Sequence, residues 1–130
     1  MNDYDAFVAS KRRAEVATGH KPGDLNEHLF DFQHAIVEWA IRRGRAAIFA
    51  DTGLGKTLMQ LSWADEVAAN TGGTVLVLAP LAVSEQTIEQ GRTFGIEVSR
   101  VPQGGTPTGP GVWITNYERM DAIDFTELHG

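Results

Sequence analysis

Apolar residues along this chain change period several times, and each change marks an element. Leu29, Phe32, Ile36, Val37, Ala40 and Ile41 recur at steps of three and four, the spacing of one helical face. Asn26 stands ahead of them as a candidate cap, and Gly44 stops the run. Upstream, Tyr4, Phe7, Val8 and Ala14 give residues 3–16 an amphipathic pattern with a basic outer face, ended by Thr18-Gly19-His20-Lys21-Pro22-Gly23. Residues 46–50, Ala-Ala-Ile-Phe-Ala, are continuously apolar, as a strand buried on both faces would be. Helical spacing returns over 56–69 through Leu58, Leu61, Trp63, Ala64, Val67 and Ala68, and Thr71-Gly72-Gly73 turns the chain. A second apolar run follows at 74–79, then a helix over 83–94 and a third strand over 96–101. Residues 102–111, rich in Gly and Pro, read as loop, 112–115 as a fourth strand and 117–123 as a last helix.

Strands alternating with helices predict an α/β fold, a mainly parallel sheet with helices on both faces. The expected division is an N-terminal helical extension over 1–24 and one α/β domain over 25–130.

Composition narrows the class. A hydrophobic share of 42% and a charged share of 22% belong to an ordinary globular chain. No apolar run reaches the ~20 residues that span a bilayer, and the first ten residues hold no apolar core of a secretory signal. With no cysteine for disulfides, the expected compartment is the cytoplasm. The net charge of −6 argues against a nucleic-acid surface spread over the whole domain. Positive charge gathers at Lys11, Arg12, Arg13 and Lys21 and at Arg42, Arg43 and Arg45. The four histidines lack ligand spacing, so no metal site is assigned to them. Trp39 and Trp63 stand at helical spacing among apolar residues and are expected in the core.

Between the 46–50 run and the following helix lies Ala50-Asp51-Thr52-Gly53-Leu54-Gly55-Lys56-Thr57, a Walker A pattern with alanine in first place. The chemistry requires these types in this order. Thr52, Gly53, Leu54 and Gly55 let the backbone wrap a phosphate closely and aim N–H groups at it. The next helix presents free N–H donors and a partial positive charge. Lys56 reaches the β- and γ-phosphates, and the Thr57 hydroxyl ligates Mg²⁺. The ligands expected are therefore ATP and Mg²⁺.

Flanking segments add a family resemblance over about residues 25–120. The chain resembles the first RecA-like domain of superfamily-two helicases and translocases, especially the Swi/Snf-like branch and related phage or prophage helicases. Phe30-Asp31-Phe32-Gln33 looks like the Q-motif, which implies that Gln33 contacts adenine. Asp51 to Leu58 is similar to motif I, Leu78-Ala79-Pro80-Leu81-Ala82-Val83 to motif Ia, and Ile114-Thr115-Asn116-Tyr117-Glu118 to a later threonine-containing motif. The resemblance implies a partial RecA-like P-loop NTPase domain, with Pro80, Leu81, Thr115 and Asn116 toward nucleic acid.

Hydrolysis by this family also needs a carboxylate pair at the end of a buried strand. Asp121, Asp124 and Glu127 do not follow such a run, so no catalytic set is complete in these residues. The family's second domain, with its arginine finger, is likewise not among them. The expectation is ATP binding without turnover by these 130 residues alone, with DNA engaged only in a larger assembly. The alternative is a stand-alone, truncated helicase-like protein, phage-encoded, that binds a protein partner or itself, for example as an inhibitor of a host defence complex. A metabolic P-loop kinase ranks below both, because arginine is sparse after Arg45.

Overall fold

A computed structural model of the chain describes Asp3 and residues 18–49, 55–102 and 105–116. Among these residues three helices and three strands follow in the order α1 (Asp31–Arg43), α2 (Lys56–Thr71), β1 (Thr74–Leu78), α3 (Leu81–Thr93), β2 (Val98–Arg100) and β3 (Gly111–Thr115). The expected helices over 3–16 and 117–123 lie outside the described residues, Asp3 aside.

The strands form one parallel sheet in the order β1-β3-β2. Val75 pairs with Val112, Val77 with Ile114 and Val98 with Val112, so these valines and Ile114 share one face. Branched side chains suit such a surface, since they pack on a pleat and lose little rotamer freedom there. Leu61, Ala64 and Ala68 of α2 and Ile88 of α3 complete the main core against that face. Leu61 reaches Gly91 of α3 beside Val98, so α2 crosses the sheet toward the amino end of β2.

Helix α1 forms an outer layer. Its Val37 and Ile41 pack on Met59 of α2, with Leu25, Leu29, Ile36 and Trp63 around them. All three described helices therefore stack on one side of the sheet. The other face carries Leu76, Leu78 and Trp113, all half-buried, and no described helix packs on it. There Thr74 Oγ1 and Trp113 Nε1 both donate to the carbonyl of Gly109, at 2.8 and 3.0 Å, drawing the 105–110 loop over one end.

Two local expectations change. Residues 46–49 form no strand; Ile48 is 42% and Phe49 96% exposed. A short apolar run becomes a strand only beside a backbone that takes its N–H and C=O groups, and none of the three described strands pairs with it. Ala46 and Ile48 instead line a groove with Ala40, Met59 and Trp63. Asn26 does not cap α1, which starts behind Phe30. It closes its own turn, accepting the His28 N–H on Oδ1 at 2.9 Å, and its Nδ2 donates to the Phe94 carbonyl at 2.8 Å.

The C-terminal end of α1 is satisfied by another segment. The N–H groups of Thr18, Gly19 and His20 donate in succession to the carbonyls of Arg43, Arg42 and Ile41. Three of the four acceptors that a helix end leaves open are thereby filled. Among the described residues no helix is long and apolar enough to cross a membrane.

Candidate functional site

The first turn of α2 is where the described part of the Walker A pattern lies. Gly55 caps the helix in the left-handed conformation (φ 71°, ψ 39°), which glycine adopts without steric cost. The first intrahelical bond runs from Met59 N–H to the Gly55 carbonyl, leaving the N–H groups of Lys56, Thr57 and Leu58 without helical partners. Lys56 is exposed and forms no ion pair with another described residue. Thr52, Gly53 and Leu54 lie outside the described residues.

Gln33, from the first turn of α1, is 4% exposed and lies directly against Gly55. Its Oε1 accepts the Phe30 N–H at 2.9 Å, which locks the carboxamide across the entry to α1. The sequence separates Gln33 from Lys56 by more than twenty residues, and the packing of α1 on α2 brings them together.

Around them opens a cleft of about 590 Å³, within the roughly 300–1,000 Å³ usual for ligand sites. Gln33, Gly55, Lys56 and Thr57 line one side; Gln90, Thr93 and Phe94 from the end of α3 line another, with His28 and Phe30 at the rim. The α3 residues were not legible in the sequence as site residues, because nothing in an ordinary helix end announces what crosses it. The smaller groove of about 340 Å³ lies beside Lys56 and is lined by Ala40, Ala46, Ile48, Met59, Gln60 and Trp63. Lys56 at the start of α2 lines it too, but its other walls are mostly apolar, whereas the larger cleft adds Gly55 and Thr57, so the larger cleft is the better candidate for a charged ligand.

The remaining sequence-derived candidates lie elsewhere. Pro80 and Leu81 are exposed where β1 passes into α3, while Thr115 and Asn116 are buried at the end of β3. The Thr115 hydroxyl has no hydrogen-bond partner among the described residues. Helix α3 is about 20 Å long at 1.5 Å per residue, and its far end forms the cleft. The structure thus gathers Gln33, Gly55, Lys56 and Thr57 and keeps the Pro80–Thr115 group apart from them. Trp39, expected in the core, is 48% exposed. Among the described residues no cluster of His, Asp or Glu could hold a metal ion by itself.

What is present fits a polyphosphate. N–H groups without helical partners, the positive end of a 16-residue helix and an ammonium that pairs with no carboxylate among the described residues converge on one cleft wall. Lys56 would meet the phosphates there, and Thr57 would take a nucleotide-borne Mg²⁺. The sequence matches no protein-family model and no curated protein.

Proposed function

We propose that this chain is an ATP-binding portion of a superfamily-two, Swi/Snf-like helicase or translocase, within a partial RecA-like domain. The observation that carries the reading is the convergence of Gln33 on Gly55 and Lys56 in one cleft at the start of α2. Lys56 at the start of α2 suits a triphosphate, and Gln33 stands beside it as the resemblance implies for a residue that contacts the base. Mg²⁺ arrives with the nucleotide and is held by Thr57. The residues do not turn ATP over alone, because they include no carboxylate pair behind a buried strand to orient water. DNA belongs to the larger assembly rather than to this acidic piece, with Pro80, Leu81, Thr115 and Asn116 as its nearest candidates.

Calorimetric titration with a non-hydrolysable ATP analogue and Mg²⁺ tests this. Wild-type chain binds and Lys56→Ala does not; a folded wild-type chain that fails to bind sinks the reading.

A second reading, a non-catalytic protein-binding module of phage origin, is favoured by the apolar side chains left in water. Phe32, Trp39, Ile48 and Phe49 are each more than 40% exposed, and large apolar groups in water mark interaction surfaces. A stoichiometric partner recovered by wild-type protein and lost by a Phe32→Ser, Trp39→Ser double variant supports it. Equal recovery by both proteins argues against it.

A further inference from the structure

The cleft has two unlike ends. On one side stands the N-terminus of α2, with its partial positive charge and Lys56. On the other stands the C-terminus of α3, where the carbonyls of Gln90, Gly91 and Arg92 accept N–H groups of the following turn. Aromatic surface lies on the second side and at the rim: Phe94 closes α3, and its ring centroid lies 5.3 Å from that of His28 at 59°. Asn26 fixes this wall from two directions, by accepting the His28 N–H and by donating to the Phe94 carbonyl. Phe94 is half-buried, so one side of its ring is packed while part remains open to the cleft.

We propose that Phe94, with the last turn of α3, is the base-binding wall of this cleft and sets its preference for nucleotides over inorganic polyphosphate. The inference rests on the nucleotide reading above. A nucleotide matches the two sides of the cleft: anionic phosphates for the cationic side and a flat base for the aromatic one. Phosphates bind at the start of α2. The base turns toward α3, where the ring of Phe94 meets its π-face. Asn26 is a positioning residue, holding the loop that carries His28 against Phe94.

The test compares two probes, a non-hydrolysable ATP analogue with Mg²⁺ and inorganic tripolyphosphate with Mg²⁺, titrated calorimetrically into the full chain. Phe94→Leu keeps the apolar volume and removes the ring. It weakens the nucleotide about tenfold, in keeping with the value of one stacked base, and leaves tripolyphosphate affinity unchanged. Phe94→Tyr retains nucleotide affinity, and Lys56→Ala loses both ligands. Phe94→Leu binding the analogue like wild type, while wild type binds both probes, overturns the inference and spares the nucleotide reading. An equal loss of both probes in Phe94→Leu also overturns it, since that is the mark of a merely structural role. Wild type that binds neither probe overturns the nucleotide reading and this inference together.

Discussion

The carboxamide of Gln33 occupies the space in which a side chain at Gly55 would lie: a Cβ placed on Gly55 would stand 2.3 Å from Gln33 Nε2. The first turns of α1 and α2 are therefore fitted to one another through a residue with no side chain. Gly55→Ala meets two separate costs. The left-handed backbone costs roughly 1–2 kcal/mol for a residue with a Cβ, and Gln33 must be displaced from a buried position. Gln33→Ala removes the second cost and not the first. Denaturant unfolding of both single variants and the double variant should give a cycle in which the double loses about 1 kcal/mol less than the sum. Strict additivity would mean that the two residues do not bear on each other.

Lys56 tests the site without testing the fold. Its side chain is exposed at a helix start, so Lys56→Ala should change unfolding free energy by no more than about 0.5 kcal/mol. Nucleotide binding should fall below detection in the same preparation. Loss of stability alongside loss of binding would show that the lysine packs rather than binds.

Much of this arrangement was legible in the residues, and the failures have physical causes. Runs such as Thr74 to Leu78, with branched side chains between turn signals, became parallel strands as their period implied. Gly55, Lys56 and Thr57 were readable as a group from motif spacing, and Gln33 joined them only through the resemblance, since its approach to Gly55 is made by the packing of α1 on α2. The run at 46–49 was misread because apolar character states a preference for burial, and pairing depends on a neighbour that the run itself does not encode. Asn26 was misassigned for a related reason. Its amide can close a turn as readily as cap a helix, and the acceptor that decides, the Phe94 carbonyl, is 68 residues away.

Gly19 should be nearly as sensitive as Gly55, though it lies in no recognised motif. A Cβ there would fall 1.7 Å from the Ile41 carbonyl oxygen and 2.7 Å from that of Arg42, both fixed acceptors at the end of α1. Gly19→Ala should cost about 2 kcal/mol or more and lower helical circular dichroism, because the segment must withdraw from the carbonyls it fills. An unchanged midpoint would show that the 18–20 segment does not hold α1.

Asp65 gives a pH dependence. Partial desolvation on α2 raises its pKa above the ordinary aspartate value, and the neighbouring Glu66 carboxylate raises it further. Glu66 itself accepts the Gly23 N–H at 2.8 Å. A carboxyl whose pKa is raised by folding favours the folded state when protonated, so that contribution is full below the unfolded pKa and is lost as pH rises through the folded one. Asp65→Asn should therefore raise the melting temperature slightly at neutral pH, with the gain closing as pH falls into the aspartate range. The exposure of the side chain keeps the effect small. A gain that grows on acidification would reverse the assignment.

Layering on one side of the sheet has a kinetic meaning. Helix α1 rests on α2 through a small cluster of its own, and Trp63 packs against both that cluster and the main core. The outer layer can consequently open while strands and inner helices stay closed, and amide exchange should sort the protein into a fast α1 class and a slow class for β1, β3 and α2. Gln33 rides on the fast layer and Lys56 on the slow one, although the Lys56 amide itself, at the open start of α2, has no helical bond to protect it. A ligand touching both would stitch the two layers together, and its affinity would report how often the outer one is shut.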